Sequence, residues 1–381
     1  MRKLVILLIA SMLPALAGAA DKCNQPAAEP VVAVSVPSQP FAAIPSLDGC
    51  TIFVTMPQSK SVAVMSRTGG VVRLERTIDV HEGPTGAVLT HDGALLIAAA
   101  QDGAVVLDTT RGSFVGHIKA PPSGARIGSV YVNITADDRT LFISDEYAQR
   151  ITVIDFAKAR TSKFHDSAVI GTIPTGFLPI ALTFSPDEHY LYTTSEAAGD
   201  WGWPKVCVAE GAKSQEHFPE GALLVIDVAR ARTDPAHAVI AKMPAGCSAV
   251  RLALSPGGDR AYVTARNANA MLAFDTAKLL GDPEHALIGR VPVGSSPVGV
   301  AVVDDGKKIV VANSNRFAGG ANDHSTLSVI DAASLTVLGT IPAGAFPREM
   351  RLTADGRTLL VTNFASKNLQ IIDVSRMPIT K

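Results

Sequence analysis

The charged side chains of this sequence best suited to hold a ligand are Arg251, Arg348, Glu349 and Arg351. Arg251 and Glu349, with Tyr131, stand two residues after a recurring turn position occupied by Ala249, Pro347 and Ser129. Asn133 and Arg351 stand four residues after it. If that turn marks a structural repeat, period-two alternation points all five toward one shared space, with Arg348 at its mouth. Two guanidinium groups grip a carboxylate or phosphate through bidentate hydrogen bonds, and the tyrosine and asparagine then fix its orientation. The competing arrangement is internal: Glu349 neutralises the arginines and the space holds water. Trp201 and Trp203 fall in a segment that also carries Cys207, His217 and Phe218. They serve either as an aromatic lid over that space or as packing for their own unit.

Other chemistry is sparser. Asp145, Asn313 and Asn363 occupy one equivalent position at the end of the repeat's second strand, with Glu146 and Glu196 beside it. That ring of oxygens could gather Ca²⁺, against the alternative that each side chain satisfies its own loop. No other cofactor is expected. The nine histidines have no Cys or His partner at metal-ligand spacing. HExxH, GxSxG, CxxCH, P-loop and GxGxxG motifs are absent.

The positioning elements follow from a repeat. Asp48, Asp92, Asp137, Asp187, Gly257, Asp305 and Asp355 mark equivalent tight turns, 44 to 50 residues apart except for one step of 70. Asp at such a point caps a turn more readily than it catalyses. Eight residues earlier stand Pro40, Pro84, Ser129, Pro179, Ala249, Pro297 and Pro347. Downstream, a hydrophobic-acid pair recurs, as in Ile154-Asp155, Ile226-Asp227 and Ile372-Asp373. Each unit offers four short β runs bounded by turn signals, so seven units predict an all-β, seven-bladed β-propeller with four-stranded antiparallel blades. The last unit lacks a fourth strand, and Val31 to Val36 is predicted to supply it. The long step places an insertion at about 195–220 on the top face.

Val311-Ala312-Asn313, Val361-Thr362-Asn363 and Tyr262-Val263-Thr264, with the Gly-x-x-Pro turns at 176–179, 294–297 and 344–347, resemble the YVTN family of seven-bladed propellers. The resemblance implies an exported binding or surface protein; sugar-lactone hydrolases and proteins associated with periplasmic redox enzymes belong to the wider group. Three functions follow as expectations. The first is a non-catalytic propeller presenting its top face to a partner protein or small anionic ligand. The second is a lactonase-like hydrolase of a cyclic ester, and the third an accessory of a periplasmic redox system.

Residues 1–20 have the layout of a signal peptide: Arg2 and Lys3, an apolar run to Leu16, then small residues. The mature chain, 21–381, is expected as one exported domain, periplasmic or extracellular, with no membrane span. Removing Arg2 and Lys3 from the 34 basic residues leaves 32 against 35 acidic, a balance that argues against nucleic acid as partner. Four cysteines allow three pairings. Only Cys23–Cys50 at the bottom and Cys207–Cys247 at the top keep each pair on one face of a propeller.

Overall fold

A computed structural model describes residues 22–122, 128–164, 168–203, 206–208, 217–317 and 325–381. The expected signal peptide and part of the insertion lie outside the described residues. Seven antiparallel sheets form around an axis, each running outward from an innermost strand. Blade 1 comprises Ala43–Pro45, Thr51–Met56, Ser61–Thr68 and Val71–Asp79; blade 2 comprises Pro84–Leu89, Leu95–Ala100, Gly103–Asp108 and Ser113–Lys119. Blades 3 to 6 repeat the pattern in order. Blade 7 takes Pro347–Leu352, Thr358–Asn363 and Asn368–Asp373 from the C-terminal end and Val31–Ser35 from the N-terminal end. Val31 pairs with Ile372 and Ser35 with Asn368, so the two ends of the described chain share one sheet. The expected strand is found, one residue shorter.

The repeated residues have identifiable jobs. Asp48, Asp92, Asp137, Asp187 and Asp355 each accept a hydrogen bond from a Ser or Thr two residues earlier and a backbone N–H two residues later. These are Asx turns closing the first hairpin of a blade. In blade 5, where Gly257 replaces the acid, Asp259 takes the bond from Ser255 instead. The acid after the third strand caps a short helical turn: Asp155 accepts from Lys158, Asp227 from Arg230, Asp275 from Lys278 and Asp373 from Ser375.

The hydroxyl near the end of the second strand ties neighbouring blades together. Thr55, Ser144, Thr194, Thr264 and Thr362 donate to carbonyls of Thr85, Ile180, Val250, Val298 and Phe41, on or beside the innermost strand of the next blade, at 2.6–3.1 Å. Each such bond contributes about 1 kcal/mol net. Thr362 to Phe41 closes the ring. The asparagine one residue further packs on the turn glycine: a Cβ on Gly294 would lie 2.6 Å from the Asn313 side chain, and one on Gly344 2.9 Å from Asn363. Only glycine admits that approach.

Both expected disulfides form, with Cα separations of 4.8 Å for Cys23–Cys50 and 5.7 Å for Cys207–Cys247. Beside the first, Arg67 is 2% exposed. It donates to Asn24 Oδ1 and Thr358 Oγ1, linking blade 1 to the N-terminal segment and to blade 7. Among the described residues no helix is long and apolar enough to cross a membrane.

Candidate functional site

Innermost strands pack their apolar alternate residues between blades and leave the others for the axis. Tyr131 and Asn133 reach the axis from Ser129–Ile134, Arg251 from Ala249–Leu254, and Glu349 and Arg351 from Pro347–Leu352. Tyr131 and Arg251 line two chambers at once, one above and one below.

The lower chamber, about 270 Å³, adds Asn133, Thr183, Glu349 and Arg351 to aliphatic walls. Its acid is paired, although one carboxylate oxygen, Glu349 Oε2, is sealed from solvent without a hydrogen-bond partner. Arg351 Nε donates to Glu349 Oε1 at 3.0 Å, and Asn133 donates to the Leu182 carbonyl. This is the internal neutralisation weighed as the alternative, confined to the lower half.

The upper chamber, about 40 Å³, is different. It is lined by Arg251, Arg266, Arg316 and Arg348, by Glu146 and Glu196, and by Phe41 and Phe346. Arg266 pairs bidentately with Glu196. Arg251 and Arg348 have no carboxylate within 4 Å among the described residues. Arg251 donates instead to the Arg348 carbonyl, and both Nε atoms are sealed from solvent without a hydrogen-bond partner. The guanidinium of Arg348 lies 4.0 Å above the Phe41 ring, and that of Arg251 lies 4.9 Å from Tyr131. Aromatic faces support these cations but do not neutralise them. Burial, with Arg251 alongside, lowers the Arg348 pKa to about 10. Burial and then the neighbouring Glu196 carboxylate raise that of Glu146 to about 7. Burial also raises that of the Tyr131 hydroxyl, which has no hydrogen-bond partner.

Arg266 and Arg316 were not anticipated. Arg266 directly follows the second strand of its blade, as Glu146 follows Thr140–Asp145, while Glu196 is the last residue but one of Tyr190–Ala197. The register that suggested a ring of oxygen ligands at this level therefore builds a mixed ring of acids and arginines. Its other members turn to their own blades. Asp145 accepts from the Tyr147 and Ala148 amides. Asn313 donates to Thr326 and Ser328, and Asn363 to Asn368 and Gln370.

Trp201 and Trp203 line neither chamber. Their rings meet edge to face at 5.1 Å, and Lys242 Nζ sits 4.7 Å over Trp201. Lys242 belongs to Val239–Cys247, the outermost strand of blade 4. The described part of the insertion stays with its own blade: Val206–Val208 pairs with His217–Asp227, and Cys207 is bonded to Cys247 at the end of that same outer strand. The position of Cys247 just before the innermost strand of blade 5 suggests a tie between blades, but Cys247 ends the outer strand of blade 4, so the bond is a tie within blade 4.

The family model described as "Lactonase, 7-bladed beta-propeller" matches residues 288–377, spanning blades 6 and 7. No curated protein matches the sequence. Among solved structures, hydrazine synthase from Kuenenia stuttgartiensis is similar, with TM-score 0.66, 18% identity and coverage of 89% of this chain and 97% of that one. A chain of the mitotic checkpoint complex is similar at TM-score 0.66 and 15% identity, covering 98% and 99%. At these identities the likeness shows the fold alone. With 1465 chains of solved structures matching, the propeller does not discriminate between functions. The chain is a seven-bladed β-propeller whose C-terminal blades are similar to the lactonase-type family.

Proposed function

We propose that this protein is an exported, YVTN-type propeller that binds a small anionic ligand through one carboxylate or phosphate group in the upper chamber. The carrying observation is the pair Arg251 and Arg348, held side by side with no carboxylate within reach among the described residues. Adjacent unpaired guanidinium groups repel each other and cost free energy, which a bound anion offsets through charge-assisted hydrogen bonds. The chamber's size admits one anionic group, so the rest of the ligand extends over the top face. A partner protein offering an Asp or Glu side chain would satisfy the same chemistry. Two disulfides support an oxidising, extracytoplasmic location.

The test is calorimetric titration with inorganic phosphate and with short mono- and dicarboxylates. Saturable binding of one equivalent that is lost in Arg251→Ala and Arg348→Ala supports the reading. Full retention of binding in both variants removes it.

One observation favours a second reading, hydrolysis of a cyclic ester. Glu146, with a pKa of about 7, lies in the same chamber as the arginines. It has the affinity of a general base for water, and the guanidinium groups would stabilise the oxyanion formed at the lactone carbonyl. The family match over residues 288–377 is in accord. Lactone opening followed as proton release, abolished in Glu146→Gln without loss of anion binding, would separate catalysis from binding.

A further inference from the structure

We propose that the top rim of blade 2, outside the channel, binds a divalent transition-metal cation through His117, Glu82 and Asp102. The three come from separate segments. Glu82 lies in the connection between Val71–Asp79 and Pro84–Leu89, Asp102 in the tight turn before Gly103–Asp108, and His117 near the end of Ser113–Lys119. The backbone fixes them together: the Ala120 amide donates to the Asp102 carbonyl at 2.6 Å, and Gly103 pairs with Lys119.

One ligand atom from each residue falls within 4.8 Å of the others. His117 Nε2 is 3.5 Å from Glu82 Oε2 and 3.6 Å from Asp102 Oδ1. These separations are long for hydrogen bonds. They match a tetrahedral cation, whose ligands at about 2.0–2.2 Å from the metal stand roughly 3.3–3.6 Å apart. Independently, His117 Nε2 and Glu82 Oε2 are both sealed from solvent and have no hydrogen-bond partner, an arrangement that a cation between them resolves. One imidazole nitrogen and two carboxylates are the donor set of a zinc-class ion. The two carboxylate charges balance a divalent cation. Asp102, whose side chain is 39% exposed, leaves the fourth position open to water. Lys60 and Lys119 are close enough to act on Glu82, but both are exposed and free to turn outward. The sequence hid this group because its members lie 15 to 35 residues apart and only one is a histidine.

The experiment is calorimetric titration of chelator-treated, untagged protein with Zn²⁺, with Mg²⁺ as control. One equivalent of Zn²⁺ is expected, with no saturable Mg²⁺ binding. His117→Ala and Glu82→Gln should each weaken Zn²⁺ by at least about tenfold, with circular dichroism confirming that each variant is folded. Arg348→Ala should bind Zn²⁺ as the parent does, keeping this site separate from the channel. If the parent takes up no Zn²⁺, or His117→Ala binds it undiminished, the cluster is only a histidine packed between two carboxylates and the proposal fails.

Discussion

The two chambers of the channel are made by neighbouring positions of the same innermost strands and share Tyr131 and Arg251, yet they treat charge in opposite ways. Below, Glu349 and Arg351 come from one strand two residues apart, on the same face, and pair locally. Above, Arg348 lies on that strand's opposite alternation, next to the turn, and meets Arg251 from blade 5 instead of an acid. Glu196 is already committed to Arg266, and the other acid, Glu146, carries only part of its charge near neutral pH because burial and then Glu196 raise its pKa to about 7. A closed pair stabilises a wall; an open pair of cations is what the proposed anion binding requires. The difference arises from which strand each partner belongs to, not from the number of charges.

The sharpest way to break the comparison is to remove one open cation. Arg348→Ala should lower affinity for a phosphate or carboxylate probe by roughly 2–3 kcal/mol, about 100-fold, in calorimetric titration. The same substitution in the closed pair should read out in stability. Arg351→Ala leaves Glu349, 4% exposed, without its counter-charge. It should reduce the urea unfolding free energy by about 1–3 kcal/mol, less than a fully buried pair because Arg351 is partly in solvent. Anion affinity should change by less than about twofold, since Arg351 does not line the upper chamber.

A pH series sharpens the contrast further. Protonating Glu146 removes a negative charge beside the ligand, so affinity should rise several-fold as the pH falls through about 7. Its folded pKa lies above the unfolded value of about 4.3, so its contribution to stability is complete below that value. That contribution is lost as the pH rises through about 7. Glu146→Gln should flatten both curves. The smallest effect belongs to the periphery: Trp201→Ala should leave anion affinity unchanged, because its ring rests against Trp203 and Lys242 on blade 4. A marked loss there would mean the ligand spreads across the insertion.

Much of the fold could be read from single residues because each repeated residue acts within a few positions of itself. The Asx turn at Asp355 and the cap at Asp373 are local hydrogen bonds and leave a signature at fixed offset. The ring-closing strand was readable for a related reason: a four-stranded unit missing its last strand must borrow one. Threonines such as Thr362 were harder, since their partner carbonyls lie on another blade; Phe41 is 321 residues away. For the site, alternation along the innermost strands brought Tyr131, Arg251 and Glu349 to the axis, whereas Arg266 lies off those strands and its partner Glu196 stands 70 residues away on another blade, so no fixed offset marks it.

Sequence by itself determined the number of blades, the way the ring closes and the pairing of the cysteines, and it set the alternation along the innermost strands. These follow from period, offset and alternation, which are properties of the chain. Only the tertiary structure decided which charges meet. Pairing across a propeller axis depends on the tilt and spacing of strands from different blades, and a shift of one residue in depth separates a neutralised pair from two open arginines. The same holds at blade 2, where Glu82, Asp102 and His117 become neighbours only after two connections and the end of an outer strand converge on one rim.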